Sequence, residues 1–516
     1  MTPQRNLVFR VYPQKKPLCD NTTAKNQIFK CFLNRSEITK MIPENQEELE
    51  VFITLEKQHS QDEIFDKITN SVTKVDFREL SGQKYIEDTD KKLLEKNYVV
   101  ISTENILEKA NDLGYRLAMN NGVVYIFNGC YWVSISEADL GKFMGNCALK
   151  LGVDKIDSKF HRFQDSLLSQ FFKSAHFTKP ESSQDKVLIN LQNGTFEITS
   201  QKQSLRPFKN TDFLKYQLPF SYDTTATAPL FQKYLDKVLP EKELQDILAE
   251  YIGYVFIKNL KLEKILLLFG SGANGKSVFF EIVNAILGKE NISNFSLTSL
   301  SNESYRSSLD DKLLNYGSEI KGSLESDIFK QLASGEPIGA RRLYQKPFTM
   351  TDYAKLMFNA NELPKDVEHN EAYFRRFLIV PFLVTIPSEE RDPELPKKII
   401  KNELSGVFNW VLLGLNRLLI KKGFTHSKTS SNFLEKYKNE SDTVFLFLDE
   451  QNYKPCFEGG STGLTELYGE YKQYCGAFGY YPNNLKNFRN RLERNKLQVN
   501  KKSAGLFVSV IKTPIF

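Results

Sequence analysis

The chain has few residues of the kinds that build disulfide frameworks and zinc sites. Its 516 residues include six cysteines and five histidines, and the cysteines are scattered, with no C-x-x-C pair and no histidine at ligand spacing. This pattern argues against a disulfide scaffold and against a structural zinc site. It is typical of a reducing compartment, so we expect a cytoplasmic protein, in a bacterium or in the host of a virus.

Long hydrophobic runs are also missing. The longest apolar candidate, residues 407–420, is interrupted by Asn409, Asn416 and Arg417. A membrane-crossing helix needs roughly 20 predominantly apolar residues, so this segment predicts an amphipathic or buried helix. The first residues lack the apolar core of a secretory signal, and their basic residues only faintly resemble an organellar transit segment. We therefore expect no membrane partner.

A strong excess of one charge is absent as well. The net charge is +6 at pH 7, so any nucleic-acid site depends on local clusters of basic residues. Charged residues make up 26% and hydrophobic residues 41%, which is the balance of a globular protein. The length allows roughly three or four domains, and the chain contains no internal repeat or low-complexity tract.

One segment has a specific chemical signature, the phosphate-loop pattern G-x-x-x-x-G-K-[ST]. It comprises Gly270, Ser271, Gly272, Ala273, Asn274, Gly275, Lys276 and Ser277. An apolar run at 265–269 predicts a buried strand before the loop, and apolar residues at helical spacing follow it. Strand, loop and helix in this order aim backbone N–H groups at a polyphosphate, with Lys276 at the β/γ-phosphates and Ser277 on Mg²⁺. We predict binding of a nucleoside triphosphate; the alternative is a glycine-rich turn without nucleotide.

Three further motifs follow the loop. Glu319 ends a predicted strand, and in a phosphate-loop ATPase a strand adjacent to the loop strand delivers an acid that polarises water or helps hold Mg²⁺. Asn361 ends another apolar strand, where an amide can orient the water. Arg375 and Arg376 lie between aromatic residues and could serve as an arginine finger for a neighbouring subunit. The alternatives are a solvated glutamate, a turn asparagine and a surface ion pair.

The order of these motifs resembles that of superfamily 3 helicases, the ring-forming AAA+ motors of viruses, phages and plasmids. Residues 329–344, with the sequence FKQLASGEPIGARRLY, resemble the segment between acid and sensor in the phage/plasmid primase-helicase branch. That branch includes poxvirus-type primase-helicases and satellite-phage replication proteins. The resemblance implies an α/β fold with an AAA+ P-loop NTPase core.

The resemblance also implies a mechanism. It implies that ATP, with Mg²⁺, is hydrolysed at the subunit interfaces of a homo-hexamer that moves 3′ to 5′ on single-stranded DNA. Glu319 would activate water and Asn361 would position it, while Arg375 or Arg376 acts in trans, with a slight preference for Arg376. The family often has two adjacent acids, but Ser318 precedes Glu319 here. Mg²⁺ would therefore be held mainly through water and Ser277.

Two basic clusters are candidates for DNA contacts, because phosphate neutralisation supplies most sequence-independent affinity. The first lies in a predicted hairpin that, in superfamily 3 motors, projects into the ring pore; it comprises Arg341, Arg342 and Lys346. The second lies in a predicted C-terminal helix before a hairpin, an order that suggests a winged helix. It comprises Lys486, Arg489, Arg491 and Arg494. The alternatives are a solvated face for either cluster, and subunit or nucleotide contacts for the first two arginines.

The predicted organisation has four parts. They are a poorly defined adaptor at 1–98, a small α+β domain at 99–229, the ATPase domain at 230–425 and a winged-helix-like domain at 433–516, with a polar hinge at 426–432. Asn-Gly pairs at 121–122, 128–129 and 193–194 predict β-hairpins.

We expect an ATP-dependent replicative DNA helicase of a virus, phage, plasmid or other mobile element, acting on single-stranded and forked DNA. The alternative is an origin-binding initiator whose ATPase switches assembly without processive unwinding. The single D-x-D motif, at 88–90, lies in a polar stretch too near the N-terminus to leave room for a polymerase fold. A separate primase or polymerase could therefore be a partner.

Overall fold

The computed structural model describes residues 59–82, 93–120, 122–177, 186–199, 202–318, 320, 326–344, 346–363, 369–456, 460–503 and 505–513. Residue contacts divide the chain into Met1–Phe52 and Ile53–Phe516, and every described residue lies in the second unit. Glu319 and the D-x-D motif at 88–90 lie outside the described residues. Within the described ranges, no helix combines the length and apolar character needed to cross a membrane.

The first region is an α+β domain with its own core. Its elements are α1 (Gln61–Ser71), α2 (Phe77–Leu80), α3 (Glu95–Asp112), β1 (Arg116–Asn120), β2 (Val123–Phe127), β3 (Trp132–Ile135), α4 (Glu137–Leu151) and α5 (His161–Ser174). The three strands form an antiparallel sheet in sequence order, which confirms the hairpins predicted around 121–122 and 128–129. The helices and one face of this sheet enclose the hydrophobic core of the domain.

The structure places the N-terminal boundary of this domain differently from the sequence-based prediction. The predicted boundary at 98/99 falls inside α3, and α1 shares the core of the domain, where Phe65 stacks on Phe143 with ring centroids 4.2 Å apart. Helix α1 buries only Ile64, Phe65 and Ile68. Because this apolar stripe is narrow, most residues of the segment are polar, and the sequence therefore resembles a poorly defined adaptor.

A second antiparallel sheet lies between this domain and the region that contains residues 230–425. It consists of β4 (Val187–Leu191), β5 (Gly194–Ile198) and β6 (Gln203–Arg206), which confirms the hairpin predicted at 193–194. Its Phe196 packs edge-on against Phe408 of the following region, with ring centroids 6.5 Å apart. The predicted domain at 99–229 is thus divided between two hydrophobic cores.

The centre of the molecule is a five-stranded parallel sheet in the order β13-β7-β12-β9-β8. The strands are β7 (Ile265–Phe269), β8 (Ile292–Ser293), β9 (Leu314–Gly317), β12 (Lys355–Ala360) and β13 (Phe377–Pro381). Alternate side chains of β7 enter two different cores, Leu266 and Leu268 on one face and Ile265 and Leu267 on the other. A strand covered on both faces reads as a continuous apolar run.

Helices and one hairpin surround this sheet. The helices are α6 (Pro229–Val238), α7 (Lys242–Tyr254), α8 (Lys276–Leu287), α9 (Glu303–Ser307), α10 (Ser326–Ser334), α11 (Glu371–Phe374), α12 (Leu395–Asn402) and α13 (Leu404–Lys421). Helix α13 contains the apolar segment 407–420 and is largely buried against the core on one side, as predicted. Strands β10 (Ile338–Ala340) and β11 (Phe348–Met350) pair antiparallel, which confirms the predicted hairpin between acid and sensor.

The predicted polar hinge at 426–432 is mostly the first turn of a helix. Helix α14 (Lys428–Glu440) is capped by Ser427, whose hydroxyl accepts a hydrogen bond from the Ser430 N–H at 3.1 Å. Its Tyr437 is buried beside Phe377 of β13, with ring centroids 5.8 Å apart. Serine and threonine favour both loops and helix N-caps, so the polar run misled the prediction. Helix α14 therefore packs with the parallel sheet and belongs to the same region.

The C-terminal region has a separate small core. It contains α15 (Thr443–Glu450), β14 (Tyr453–Pro455), β15 (Thr462–Gly463), α16 (Leu464–Phe478), α17 (Leu485–Arg494), β16 (Val499–Lys502), β17 (Gly505–Val508) and β18 (Val510–Lys512). Three of the strands form an antiparallel sheet in the order β15-β17-β16. The chain order is a helix, two short strands, two helices and three strands.

Candidate functional site

The loop at 270–277 lies where β7 leaves the carboxyl edge of the parallel sheet and α8 begins, as predicted. The N–H of Gly270 donates to the carbonyl of Ala360, 3.0 Å away at the end of the neighbouring strand. A Cβ atom on Gly270 would lie 2.6 Å from the carbonyl oxygen of Phe382. Only glycine fits this close approach, so the first fixed position of the motif is set by backbone packing.

The second half of the loop is shaped by α6 and by its own asparagine. Gly275, at φ +88°, accepts a hydrogen bond from the Tyr234 hydroxyl at 2.8 Å, and a Cβ there would lie 2.8 Å from a methyl group of Val238. The Asn274 side chain is buried and donates to the Phe382 carbonyl at 3.1 Å. Its side chain therefore holds the loop from behind and does not face a ligand. Exposed loop positions are Ser271, Gly272, Ala273 and Ser277.

Lys276 and Asn361, two predicted site residues, meet at this edge. The ammonium of Lys276 lies 3.1 Å from the side-chain oxygen of Asn361 and also donates to the Gly270 carbonyl. Both partners are neutral oxygen atoms, and a phosphate oxygen is a stronger acceptor for an ammonium than either of them. Burial lowers the pKa of Lys276 from the usual value of 10.5. A desolvated cation at the start of a helix is suited to binding an anion.

The strand that leads to Glu319 is not adjacent to the loop strand, contrary to the expectation. β12 lies between β7 and β9, so the neighbour of the loop strand on that side ends in Asn361. Ile320 donates its N–H to the Asn359 carbonyl at 2.9 Å, which holds the chain beyond β9 against the carboxyl end of β12. Sequence order does not give strand order, because a crossover can pass over a neighbouring position.

The two arginines lie at the opposite edge of the sheet. The Arg376 carbonyl accepts a hydrogen bond from Ile265 at the start of β7, which is roughly 15 Å from the loop at its end. Arg376 is only 6% exposed, lies 3.3 Å from the Glu263 carboxylate and donates to the Ser334 hydroxyl at 3.0 Å. The Arg375 side chain is 52% exposed and pairs with Glu263 at 2.6 Å. Neither arginine can reach the loop of its own chain.

The basic residues of the hairpin differ in their surroundings. Arg342 pairs with Asp310 of a neighbouring turn, and its guanidinium lies 4.6 Å from the ring centre of Phe348. Arg341 and Lys346 have exposed side chains. Arg342 is thus bound within its own chain by an ion pair and a ring contact.

The basic residues of α17 divide in the same way. Lys486 and Arg489 are exposed, the latter with a solvent-exposed ion pair to Glu493 at 3.0 Å. Arg491 is 14% exposed and pairs with the buried Asp442 at 3.1 Å, while Arg494 donates to the His369 carbonyl at 2.7 Å. The first half of the helix has exposed basic side chains, and the second half contacts the rest of the protein.

Sequence reasoning missed three residues that organise these sites. Tyr234 supports the loop, Glu263 pairs with both arginines, and Asp310 pairs with Arg342. None of them lies in a motif, and each meets its partner only through the tertiary fold. In the sequence, each of them is a polar or hydroxyl-bearing residue beside an apolar stretch. Such residues are too common to predict a role in a site.

Comparisons with known proteins give two family models and two putative viral helicases that this chain resembles in part. A family model described as D5 N terminal like matches residues 104–240, and a model described as a family of unknown function, DUF5906, matches residues 268–376. Putative helicase L207/L206 of Acanthamoeba polyphaga mimivirus is 23% identical over 365 residues, covering 64% of this chain and 37% of that protein. Putative helicase 121R of Invertebrate iridescent virus 3 is 21% identical over 336 residues, covering 56% and 35%.

The chain is similar to viral helicases. It spans about a third of the length of the curated relatives that it matches. Among solved structures, the apo C-terminal region of NrS-1 (305–718) aligns with a TM-score of 0.45 and 13% identity, covering 79% of this chain and 98% of that one.

Proposed function

We propose that this chain is the ATP-hydrolysing motor of a hexameric, superfamily 3 replicative DNA helicase from a virus or related mobile element. The observation that carries the proposal is the contact between Lys276 and Asn361 at the carboxyl edge of a parallel sheet. It joins the phosphate-binding lysine to the residue that would orient the attacking water, although the two are far apart in sequence. A glycine-rich turn without nucleotide would have no reason to hold these groups together.

The residues around the loop fit ATP and Mg²⁺. The N–H groups of the exposed loop and the Lys276 ammonium would bind the phosphates, and the Ser277 hydroxyl would be the protein's contribution to Mg²⁺. Bound Mg²⁺ neutralises charge on the phosphates. Asn361 would orient water at the γ-phosphate, and Glu319, outside the described residues, would accept its proton.

The position of the arginines supports assembly into a ring. Because Arg375 lies at the opposite edge from its own loop, it can complete only the site of a neighbouring copy. Its half-exposed side chain suits that role, whereas Arg376 is held inside its own chain by Ser334 and Glu263. We therefore favour Arg375 as the finger, which reverses the slight preference for Arg376.

An origin-binding initiator is the second candidate, and one observation favours it. The C-terminal region has the element order of a winged helix, a fold that binds duplex DNA. The first half of its helix α17 exposes Lys486 and Arg489. Such a protein would bind origin duplex in a nucleotide-dependent way but would displace little strand.

ATPase and unwinding assays with the purified chain test the proposal. A helicase hydrolyses ATP faster with single-stranded DNA and opens a forked substrate, while an initiator responds to origin duplex without unwinding. Glu319→Gln should retain ATP binding and lose turnover, with Glu303→Gln, an exposed glutamate, as the control. A wild-type chain that hydrolyses no ATP in any of these conditions would refute both candidates.

A further inference from the structure

The C-terminal region contacts the segment that leads to the proposed arginine finger. The guanidinium of Arg494, at the end of α17, donates a hydrogen bond to the carbonyl of His369 at 2.7 Å. His369 lies two residues before α11, and Arg375 follows this helix directly. The second half of α17 is therefore joined to the short piece of backbone that carries Arg375.

The His369 side chain connects three elements. It is 13% exposed, and its Nε2 lies 2.8 Å from the carbonyl of Lys438 in α14. Because a carbonyl oxygen only accepts, Nε2 carries the proton in this hydrogen bond. The same nitrogen lies 4.0 Å from the carboxylate of Asp442, which caps α15. The ring also packs edge-on against Phe374 of α11, with centroids 4.9 Å apart. His369 thus binds α11 to α14 and to the start of the C-terminal region.

Neighbouring contacts reinforce this junction. The Lys438 ammonium pairs with the carboxylate of Glu371 in α11 at 3.3 Å. Asp442, beside His369, pairs with Arg491 of α17 at 3.1 Å. Two positions in the second half of α17, Arg491 and Arg494, therefore lead to the same histidine.

Helix α11 depends on such contacts for its orientation. It has only four residues, and so short a helix is not stable by itself. Arg375 continues the same turn, because its N–H donates to the Glu371 carbonyl at 2.9 Å. The Lys264 ammonium binds the Arg375 carbonyl at the end of the turn, and Arg494 binds the His369 carbonyl before its start. These two contacts together fix the direction of the turn.

We propose that Arg494 and His369 are positioning residues for Arg375, so that the C-terminal region sets the arginine finger for the nucleotide site of a neighbouring subunit. The inference rests on the proposed function and adds a part of the chain outside the parallel sheet to the ATPase machinery. Both residues act through α11 and not by contact with the nucleotide. This role differs from the DNA contact that the sequence predicts for Arg494.

ATP hydrolysis in the absence of DNA tests the role of Arg494, because a DNA contact of α17 then does not enter the measurement. Arg494→Ala should lower kcat by up to about 100-fold, the cost of displacing a catalytic group by roughly 1 Å. KM for ATP should change little, because the loop of each subunit is intact. Arg494→Lys keeps a donor and should recover most of the lost rate. The control is Lys436→Ala in α14, where an exposed lysine pairs with Glu440 of the same helix at 3.6 Å.

A double-mutant cycle shows whether Arg494 acts through Arg375. In an Arg375→Ala background, Arg494→Ala should cause no further loss of hydrolysis, because no finger is left to position. A general structural role would lower hydrolysis by the same factor in both backgrounds, and that result would overturn the inference. Sedimentation velocity checks assembly: Arg494→Ala should form the same oligomer as the wild type, and loss of the oligomer would also count against positioning.

The side chain of His369 has its own pair of variants. His369→Gln keeps an N–H group near the position of Nε2 and should retain most of the hydrolysis. His369→Phe keeps a ring without the donor and should show a loss similar to that of Arg494→Ala. Equal hydrolysis by the two variants would overturn the role of this side chain. Thermal unfolding checks the fold of each variant, and the exposed Arg494 carries the test if His369→Phe does not fold.

The outcomes separate this inference from the proposed function. A large loss in Arg375→Ala together with wild-type hydrolysis by Arg494→Ala would overturn the inference alone. Wild-type hydrolysis by Arg375→Ala would remove the proposed finger and the inference with it.

Discussion

Basic side chains lie at both ends of β7, but the partners of these side chains differ. At the carboxyl end, Lys276 contacts the neutral oxygens of Gly270 and Asn361, and in the part of the chain that is described it forms no ion pair. At the amino end, Arg375 and Arg376 share the Glu263 carboxylate. The first end holds a desolvated cation that a phosphate would satisfy. The second holds cations that are already compensated within the chain.

This difference indicates which end receives the anion first. A buried cation with weak partners gains most from binding a phosphate, whereas an exposed paired arginine must exchange one anion for another. We therefore expect the loop to bind ATP in a single subunit and Arg375 to act only after a neighbour has docked. Five predictions test this comparison, beginning with the largest effect.

Removal of the loop lysine should have the largest effect. Lys276→Ala should abolish detectable ATP hydrolysis, because it removes the preorganised cation from the phosphate site. The control is Lys258→Ala at the other side of the sheet, where an exposed ion pair with Asp352 contributes little. Steady-state hydrolysis and nucleotide binding measure the change. Substantial hydrolysis by Lys276→Ala would contradict the assignment of the loop.

The arginine pair should separate function from stability. Arg375→Ala should lower hydrolysis by about 1,000-fold, the usual value of an arginine finger, with little change in thermal stability. Arg376→Ala should instead destabilise the fold by about 1–3 kcal/mol, because Ser334 and Glu263 lose a buried partner. Denaturant unfolding measures the second effect.

Mixed subunits distinguish action in trans from action in cis. Arg375→Ala subunits have an intact loop and Lys276→Ala subunits have an intact arginine, so a mixture should recover hydrolysis at the interfaces where both intact groups meet. Each variant alone should stay inactive. If the mixture is no more active than its components, Arg375 is not the residue that reaches a neighbouring loop.

The two halves of α17 should show a smaller contrast of the same kind. The double variant with Lys486→Ala and Arg489→Ala should bind duplex DNA more weakly. The salt dependence of this binding should fall by the equivalent of about one phosphate contact for each residue. Arg491→Ala should lower stability by about 1–3 kcal/mol, because it leaves the Asp442 carboxylate buried without its charged partner. Salt titrations and unfolding curves measure the two effects. Equal loss of DNA affinity in all variants would refute the division.

The smallest effect concerns pH. Only the protonated form of Lys276 attracts phosphate, and burial lowers its pKa below 10.5. As pH rises, ATP affinity should therefore begin to fall before an ordinary lysine would lose its proton. Lys276→Arg stays protonated at every accessible pH, so any ATP binding that it retains should lack this decline. An ATP affinity that is independent of pH in the wild type would contradict this prediction.

Several parts of the protein could be predicted from local sequence, because their determinants are close together in the chain. The phosphate loop, its flanking strand and helix, the hairpins at 121–122 and 193–194 and the β10–β11 hairpin all follow from short patterns. The domain boundaries were harder to predict from the sequence. The 98/99 boundary cuts α3, and the polar run at 426–432 begins a helix, because a weakly apolar helix and a loop have similar compositions.

The sequence by itself determined which chemical groups are available: a phosphate loop, a candidate acid, an amide after a strand and a pair of arginines. Only the tertiary structure decided which groups meet. It brought Asn361 to Lys276, put β12 between β7 and β9, and gave Arg375 and Arg376 different exposures although they are neighbours in the chain. The physical reason is that a motif depends on bonds between successive residues. Burial, ion pairing and strand order depend on contacts between residues far apart in the chain.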